Sequence, residues 1–379
     1  MTYFVTSTLG IEDIVADEVR ELGASNVSVD VGKVFFKAPY EFMYKGNFLF
    51  KTVNRLFILL MRERFKDLKD IERLASGIDY TDIIDHRRTF AVRAERIGVH
   101  NFTSIDVGRV VGSGIIKSYM KSKGVRLKVN LDEPDIEIYA LVRDDELIIG
   151  VNTSGDSLHR RRYRIYNHPA ALKTTLASVL VRLVGYDGRR DFLDPMCGGG
   201  TIVIEALHRV RHYPNILFRY DYGYRKLRLY DKYVEDYVAE ELMHSIRVGN
   251  ERAFCIDISP KHIEGAKLNA LSGRVLDAVN FIIGDSTRSE TFKETSHNVS
   301  YIALNPPYGM RFHNPKKIPQ FYETFVKTIK EQFSGAYMAL ITGSPNAMEQ
   351  ALSKYDVKIA RSFWVMHGGI RAKIYLVKL

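Results

Sequence analysis

Apolar and polar positions follow two styles along the chain, and the change falls near residue 166. Before it, short extended runs are mixed with isolated helices. Tyr3-Phe4-Val5-Thr6-Ser7 reads as a strand, and Ile11, Ile14, Val15, Val19 and Leu22 form a helical stripe. Residues 27–37 alternate about Asp30-Val31-Gly32-Lys33, the pattern of a hairpin. Residues 42–60 read as a second helix. Residues 88–96 form a strand with basic residues facing out, and residues 105–120 a helix with apolar positions Val107, Val110, Val111, Ile115, Ile116 and Tyr119. Residues 136–141 and 146–151 pair around Asp144-Asp145. From His168 onward, strands and helices alternate, the signature of a doubly wound parallel sheet.

Three domains follow from this. Strand, helix, strand, strand, helix is the order of a ferredoxin-like α+β layer, assigned to residues 1–57. Residues 58–165 continue in mixed style. Residues 166–379 form an α/β, Rossmann-like domain in which Pro169 is expected to open the first helix. That domain closes with a hairpin of residues 358–366 and 373–378 that turns at Gly368-Gly369. Between Leu207 and Arg252 lies a long insertion in which Tyr213, Tyr220, Tyr222, Tyr224, Tyr230, Tyr233 and Tyr237 alternate with basic residues. It reads equally as a helical cover packed by its tyrosines or as an RNA surface.

Composition narrows the class. A chain of 379 residues with 46% hydrophobic and 26% charged residues is that of a soluble globular protein of two or three domains. No signal peptide is read at Met1–Gly10, and the apolar run Leu56–Met61 is too short to span a bilayer. The net charge of +10 favours an acidic partner such as nucleic acid. Residues 1–167 carry 26 basic and 24 acidic side chains, and the remainder 29 and 21, so the second half is the more basic. Cys197 and Cys255 cannot build a disulfide framework or a four-cysteine zinc site, which suggests a reducing, cytoplasmic setting and no metal.

Candidate chemistry gathers at four successive strand ends, where an open parallel sheet binds ligands. The first carries Asp194-Pro195-Met196-Cys197-Gly198-Gly199-Gly200-Thr201, a glycine turn that lets backbone approach a ligand ahead of a helix N-terminus. No Gly-Lys-Ser/Thr follows, so it is not a P-loop. The second ends Asp257-Ile258, a carboxylate suited to both ribose hydroxyls of a nucleoside. The third ends Asp285-Ser286, where a carboxylate can accept an adenine amino group. The fourth delivers Asn305-Pro306-Pro307-Tyr308 on a stiff turn. The Asn305 side-chain oxygen and the Pro306 carbonyl can accept both hydrogens of an exocyclic amine, while Tyr308 offers a face for the base. That arrangement aims the amine lone pair at an electrophile.

This order of motifs resembles the class I methyltransferases that use S-adenosyl-L-methionine, and Asn305-Pro306-Pro307-Tyr308 resembles the branch that methylates amino nitrogens. Ser157-Leu158-His159-Arg160-Arg161 with Tyr163-Arg164 is similar to the end of a THUMP RNA-binding domain, with Arg162 in place of the usual glycine. The whole chain thus resembles the THUMP-domain RNA guanosine N2-methyltransferases. The resemblance implies Asn305, Pro306, Pro307 and Tyr308 as catalytic residues. It implies Asp194, Pro195, Cys197, Gly198, Gly199, Gly200, Thr201, Asp257, Ile258, Asp285, Ser286 and Asn305 as cofactor-binding residues. Arg160, Arg161, Arg162 and Arg164 are expected to contact RNA phosphates.

The glycine turn resembles the branch acting on tRNA acceptor-stem guanosine 6, or its ribosomal RNA relatives. The alternatives are tRNA guanosine 10, adenine N6 in DNA, glutamine N5 in protein, and a non-catalytic RNA-binding relict. A monomer is expected. The reaction implied is direct in-line transfer, since a sulfonium leaves as a neutral thioether and needs no metal or strong base. The target base must leave its helix to be reached.

Overall fold

The computed structural model describes residues 1–295, 297–308 and 317–379. Gly309, at the end of the Asn305 loop, lies outside the described residues. The chain divides into two compact units, one of Met1–Thr6, Ala16–Leu158 and Tyr220–Glu240, the other of Ser7–Val15, His159–Arg219 and Glu241–Leu379.

The elements of the first half are β1 (Thr2–Thr6), α1 (Glu12–Glu21), β2 (Ser25–Asp30), β3 (Lys33–Lys37), α2 (Phe42–Leu49), β4 (Arg55–Arg64), α3 (Leu68–Ser76), β5 (Thr89–Ile97), α4 (Ser104–Lys123), β6 (Lys128–Val129), β7 (Ile136–Arg143) and β8 (Glu146–Asn152). Their strands form one eight-stranded sheet in the order β2-β3-β1-β4-β8-β7-β5-β6. The expected helix over residues 42–60 is two elements. α2 stops at Leu49, and Phe57-Ile58-Leu59-Leu60 belong to β4, which pairs with β1 on one side and β8 on the other. A short apolar run in a central strand carries no period that tells it from a buried helix. A boundary between residues 57 and 58 therefore falls inside β4, the strand that joins the first three strands of the sheet to the last four. Phe4 stacks on Phe57 with centroids 4.7 Å apart, and the space exists because residue 150 is glycine: a Cβ there would meet Phe4 at 2.5 Å.

The second half contains α5 (Thr174–Val184), β9 (Asp191–Asp194), α6 (Thr201–Val210), α7 (Lys232–His244), β10 (Ala253–Asp257), α8 (Pro260–Ser272), β11 (Val279–Ile283), β12 (Val299–Leu304), α9 (Ile318–Gln332), β13 (Tyr337–Thr342), α10 (Pro345–Lys354), β14 (Lys358–His367) and β15 (Ile370–Lys378). The sheet order is β11-β10-β9-β12-β13-β15-β14. β9 to β13 run parallel, and β15 enters antiparallel to β13 with β14 as its hairpin partner. The order reverses between β9 and β12, which opens a crevice at their carboxyl ends. Leu193, Ile256, Ile302, Leu304, Tyr322, Phe325 and Met338 form part of the core of this unit.

The insertion does not cover the parallel sheet along its whole length. Its middle, Tyr220–Glu240, is built into the first unit. Tyr222 and Tyr224 stack at 5.3 Å, Tyr44 meets Tyr224 edge-on at 5.0 Å, and Phe48 meets Tyr222 at 5.4 Å. The Asp231 N–H donates to Tyr44 Oη at 2.9 Å, and Arg228 donates to the Thr81 carbonyl at 2.9 Å. Tyr213, Tyr222 and Tyr224 are buried, whereas Tyr220, Tyr233 and Tyr237 are exposed.

Cys197 and Cys255 are joined in a disulfide, which corrects the expectation of two reduced cysteines. The parallel register sets Cys255 opposite Asp194, and the turn after β9 folds back so that the two Cα atoms lie 5.4 Å apart. No helix among the described residues is long and apolar enough to cross a membrane.

Candidate active site

The carboxyl ends of β9, β10 and β12, with the loop after β11, open on a cavity of ≈ 650 Å³. Every sequence-identified residue from the four strand ends lines it except Gly200. Gly200 is the N-cap of α6 with φ +75°, and a Cβ there would press on Ala266 at 3.2 Å. Its neighbour Gly198, with φ +52°, lies against the His168 ring. The turn is held by Cys197 N–H donating to the Ile256 carbonyl and Gly200 N–H donating to the Cys197 carbonyl, both at 2.8 Å.

Two carboxylates flank this turn. Asp257 accepts from Gly198 N–H at 3.0 Å through Oδ2 and from Ser259 N–H at 2.9 Å through Oδ1, and each oxygen keeps capacity for a second donor. Asp194 is buried. Its Oδ1 accepts from Met196 N–H at 3.1 Å, while its Oδ2 has no hydrogen-bond partner among the described residues. Burial pushes the Asp194 carboxyl well above the usual range, and the Asp257 charge adds to the effect. Asp285 Oδ1 accepts from the N–H and hydroxyl of Thr287 at 2.9 and 2.7 Å. The Ser286 hydroxyl donates to the Pro195 carbonyl and ties the third strand end to the first.

These residues fit S-adenosyl-L-methionine. An orphaned carboxylate oxygen at Asp194 suits the ammonium of its amino-acid end. Asp257 suits the ribose hydroxyls, and Ile258, 69% exposed beside it, offers an apolar contact to a base.

At the fourth strand end, Asn305 Nδ2 donates to the Ala170 carbonyl at 3.3 Å and Oδ1 accepts from Tyr308 Oη at 2.6 Å. Tyr308 is therefore more than a stacking surface: its hydroxyl orients the amide. Burial raises the Tyr308 pKa, so the hydroxyl stays protonated and remains a donor. Ser344 Oγ donates to the Tyr308 carbonyl and Tyr322 Oη to the Pro307 carbonyl, both at 2.9 Å, which anchors the loop on α9 and β13–α10. The amide oxygen has a second lone pair for an incoming N–H donor.

Several cavity residues have no motif. α5 begins at Thr174 rather than Pro169, and the stretch from His168 to Leu172 runs along the cavity instead. Asn269 on α8 sets its path. The Asn269 amide accepts from Tyr166 N–H at 2.8 Å and donates to the Tyr166 and Gly199 carbonyls at 3.0 and 2.9 Å. Gly265 leaves room for the Tyr166 ring, since a Cβ would lie 2.2 Å from it. Phe321 and the β14–β15 turn, with His367, Gly368 and Ile370, complete the wall. Burial and the nearby Lys173 lower the His367 pKa and keep the ring neutral.

The four arginines expected on RNA separate. Arg160 and Arg162 are exposed, and Arg164 is half-buried with Nη1 on the Leu172 carbonyl at 2.9 Å. Arg161 is buried and ion-paired to Glu205. Tyr163 Oη and Ser178 Oγ donate to the same carboxylate at 2.7 and 2.8 Å. Arg161 is thus removed from the expected RNA-contacting set. Its charge is spent inside the protein.

Sheet order, switch-point cavity and strand-end residues define a class I methyltransferase. The family model of the RMKL-like methyltransferase domain matches residues 161–373, and the chain belongs to that family. A THUMP domain model matches residues 65–152 and an RlmL ferredoxin-like domain model residues 2–57. The chain is similar to tRNA (guanine(6)-N2)-methyltransferase of Methanocaldococcus jannaschii, at 37% identity over 100% of both chains. It is 33% identical to the protein of that name in Archaeoglobus fulgidus, over 98% of this chain and 91% of the relative. Among solved structures, SMU.472, a putative methyltransferase complexed with SAH, has the same fold, with TM-score 0.86 and 20% identity over 99% of this chain and 97% of that one.

Proposed function

We propose that the protein transfers the methyl group of S-adenosyl-L-methionine to the exocyclic N2 of guanosine 6 in tRNA. The observation that carries this reading is one cavity shared by the glycine turn, Asp257, Asp285 and the Asn305 loop. The named activity of the full-length relatives in Methanocaldococcus jannaschii and Archaeoglobus fulgidus supports the substrate. The cofactor supplies an electrophilic methyl on a sulfonium. Asp194, Asp257 and Asp285 would hold it, and the N–H groups at the start of α6 would suit its carboxylate end. Asn305 Oδ1 and the Pro306 carbonyl accept the two N2 hydrogens and turn the amine lone pair toward the cavity floor. Tyr308 holds the Asn305 amide in that orientation. Catalysis on this account is positioning, which contributes up to about 7–11 kcal/mol in well-oriented systems.

The division into domains 1–57, 58–165 and 166–379 belongs to the same proposal, as do RNA contacts at Arg160, Arg162 and Arg164. The protein acts on tRNA as a cytoplasmic monomer. Incubating it with labelled S-adenosyl-L-methionine and unmodified tRNA transcripts, beside DNA and ribosomal RNA fragments, tests the proposal. N2-methylguanosine at position 6 and nowhere else is the expected product. Label at another position, in DNA, or in no nucleic acid overturns the assignment.

A further inference from the structure

The β14–β15 hairpin carries a surface that the methyl-transfer chemistry does not use. Its turn forms part of the cavity wall at His367, Gly368 and Ile370. Its outer strand, β14, is the edge of the sheet and is exposed over most of its length. Residues 358–378 contain Lys358, Arg361, Arg371, Lys373 and Lys378 and no aspartate or glutamate.

Strand alternation puts Trp364 and Met366 on one face, paired with Lys373 and Arg371 on β15. Trp364 is 40% exposed and Met366 42%. The Arg371 guanidinium sits 4.1 Å from the centre of the Trp364 ring. Two of the cations are already engaged: Arg361 pairs with Asp13, and Lys373 Nζ lies 2.8 Å from Glu349. Arg371 has no carboxylate partner among the described residues. Lys373 Nζ also lies 5.5 Å from the ring centre, so the pair presents a part-exposed indole flanked by cations, of which Arg371 is uncompensated. Along the strand it lies about 10 Å from the cavity turn, within reach of nucleotides that flank one held in the cavity.

We propose that this face of the hairpin holds the RNA strand beside the target nucleotide, with Trp364 stacking on a base and Arg371 contacting a phosphate. The occupant is nucleic acid rather than a second copy of the chain. Residues 358–378 carry five cations and no carboxylate, so a second copy of the hairpin would meet like charge, whereas an RNA backbone is its complement. The contact rests on the proposed function for what enters the cavity, and on the hairpin alone for the surface.

The test is binding of unmodified tRNA transcript, followed by fluorescence anisotropy across a range of KCl, for the full chain and for Arg371→Gln, Trp364→Ala and Trp364→Phe. Calorimetry with S-adenosyl-L-methionine and steady-state kinetics run beside it. Arg371→Gln keeps a planar group over the indole and removes the charge. It should reduce the slope of log K against log salt by about 0.7–0.9 and raise the tRNA Kd and KM about fivefold. Trp364→Ala should raise the tRNA KM about tenfold, with Trp364→Phe retaining most of the affinity. Cofactor Kd should stay within about twofold in all three. An unchanged slope and KM in Arg371→Gln overturns the proposal, and this variant decides if Trp364→Ala does not fold. Loss of a concentration-dependent dimer, with tRNA binding unchanged, assigns the face to self-association and overturns it as well. A wild-type chain that binds tRNA but methylates nothing sinks the substrate reading, while the Arg371→Gln slope still judges the hairpin.

Discussion

Arg161 and Glu205 meet as an ion pair inside the methyltransferase unit, with side chains 1% and 0% exposed. The pair fastens the segment after β8 to α6, and Tyr163 and Ser178 complete the carboxylate's hydrogen bonds. Removing one partner leaves a buried charge. Arg161→Ala should therefore cost about 3–5 kcal/mol in denaturant unfolding. Arg161→Met with Glu205→Leu should recover most of that loss, less the two hydroxyls left without an acceptor. At the surface the effect reverses: Arg160→Ala and Arg162→Ala should leave stability nearly unchanged and reduce the salt slope of tRNA binding.

The Asn305–Tyr308 hydrogen bond separates two roles that kinetics can resolve. Asn305→Ala removes the acceptor for the amine. It should lower the single-turnover rate about a hundredfold or more while leaving the cofactor Kd unchanged. Tyr308→Phe keeps the ring and removes only the hydroxyl that orients the amide. It should lower the same rate about five- to tenfold, equal to the loss of one neutral hydrogen bond. A Tyr308→Phe rate as low as that of Asn305→Ala would mean that the ring's hydroxyl touches the substrate itself.

Asp194 should couple cofactor binding to the loss of a proton. Burial holds its carboxyl well above the ordinary range in the free protein. An ammonium beside Oδ2 would favour the ionised form and drive the proton off. Calorimetry in buffers of different ionisation enthalpy should show net proton release on binding, which grows as pH is lowered and more of the free protein carries a protonated Asp194. Asp194→Asn should abolish the release. Asp257→Ala should weaken binding about 10- to 100-fold and reduce the release without abolishing it, since burial is the larger cause of the raised Asp194 carboxyl.

His159 lies beside Arg160, Arg161, Arg164 and Lys173. Burial first, and then those charges, lower its pKa to about 4. The unfolded chain protonates this ring at its ordinary value, near 6.5, so between there and about 4 the unfolded state binds more protons. The ring's contribution to stability is present above that window and lost as pH falls through it. Because the ring is partly exposed, the loss is discounted to about 1–2 kcal/mol. Wild-type stability should run parallel to that of His159→Gln above the window and fall relative to it as pH is lowered through the window.

The α/β unit was legible in the sequence because each strand end carries its own punctuation: the glycine turn, Ser259-Pro260 ahead of α8, and Pro306-Pro307 after β12. Most of the cavity followed from the same residues. β4 was not legible, because Phe57-Ile58-Leu59-Leu60 has no period to read. Arg161 was hidden for a different reason. Four arginines within five residues carry the same charge, and only Glu205, 44 positions away, distinguishes the buried one. Nor could a local pattern show that His168–Leu172 and the turn at Gly368 share a wall. About two hundred residues of chain separate them, and the sheet brings them together.

Tyr220–Glu240 belongs to one compact unit while the residues on both sides of it belong to the other. The unit that carries the THUMP domain is therefore not a cassette that recombination can lift out in one piece. A gene fragment ending at Leu158 encodes Tyr44 and Phe48 without the rings of Tyr222 and Tyr224 that pack on them. A transferable module would need three separate stretches of coding sequence, which ties the inheritance of the THUMP-bearing unit to that of the parallel sheet.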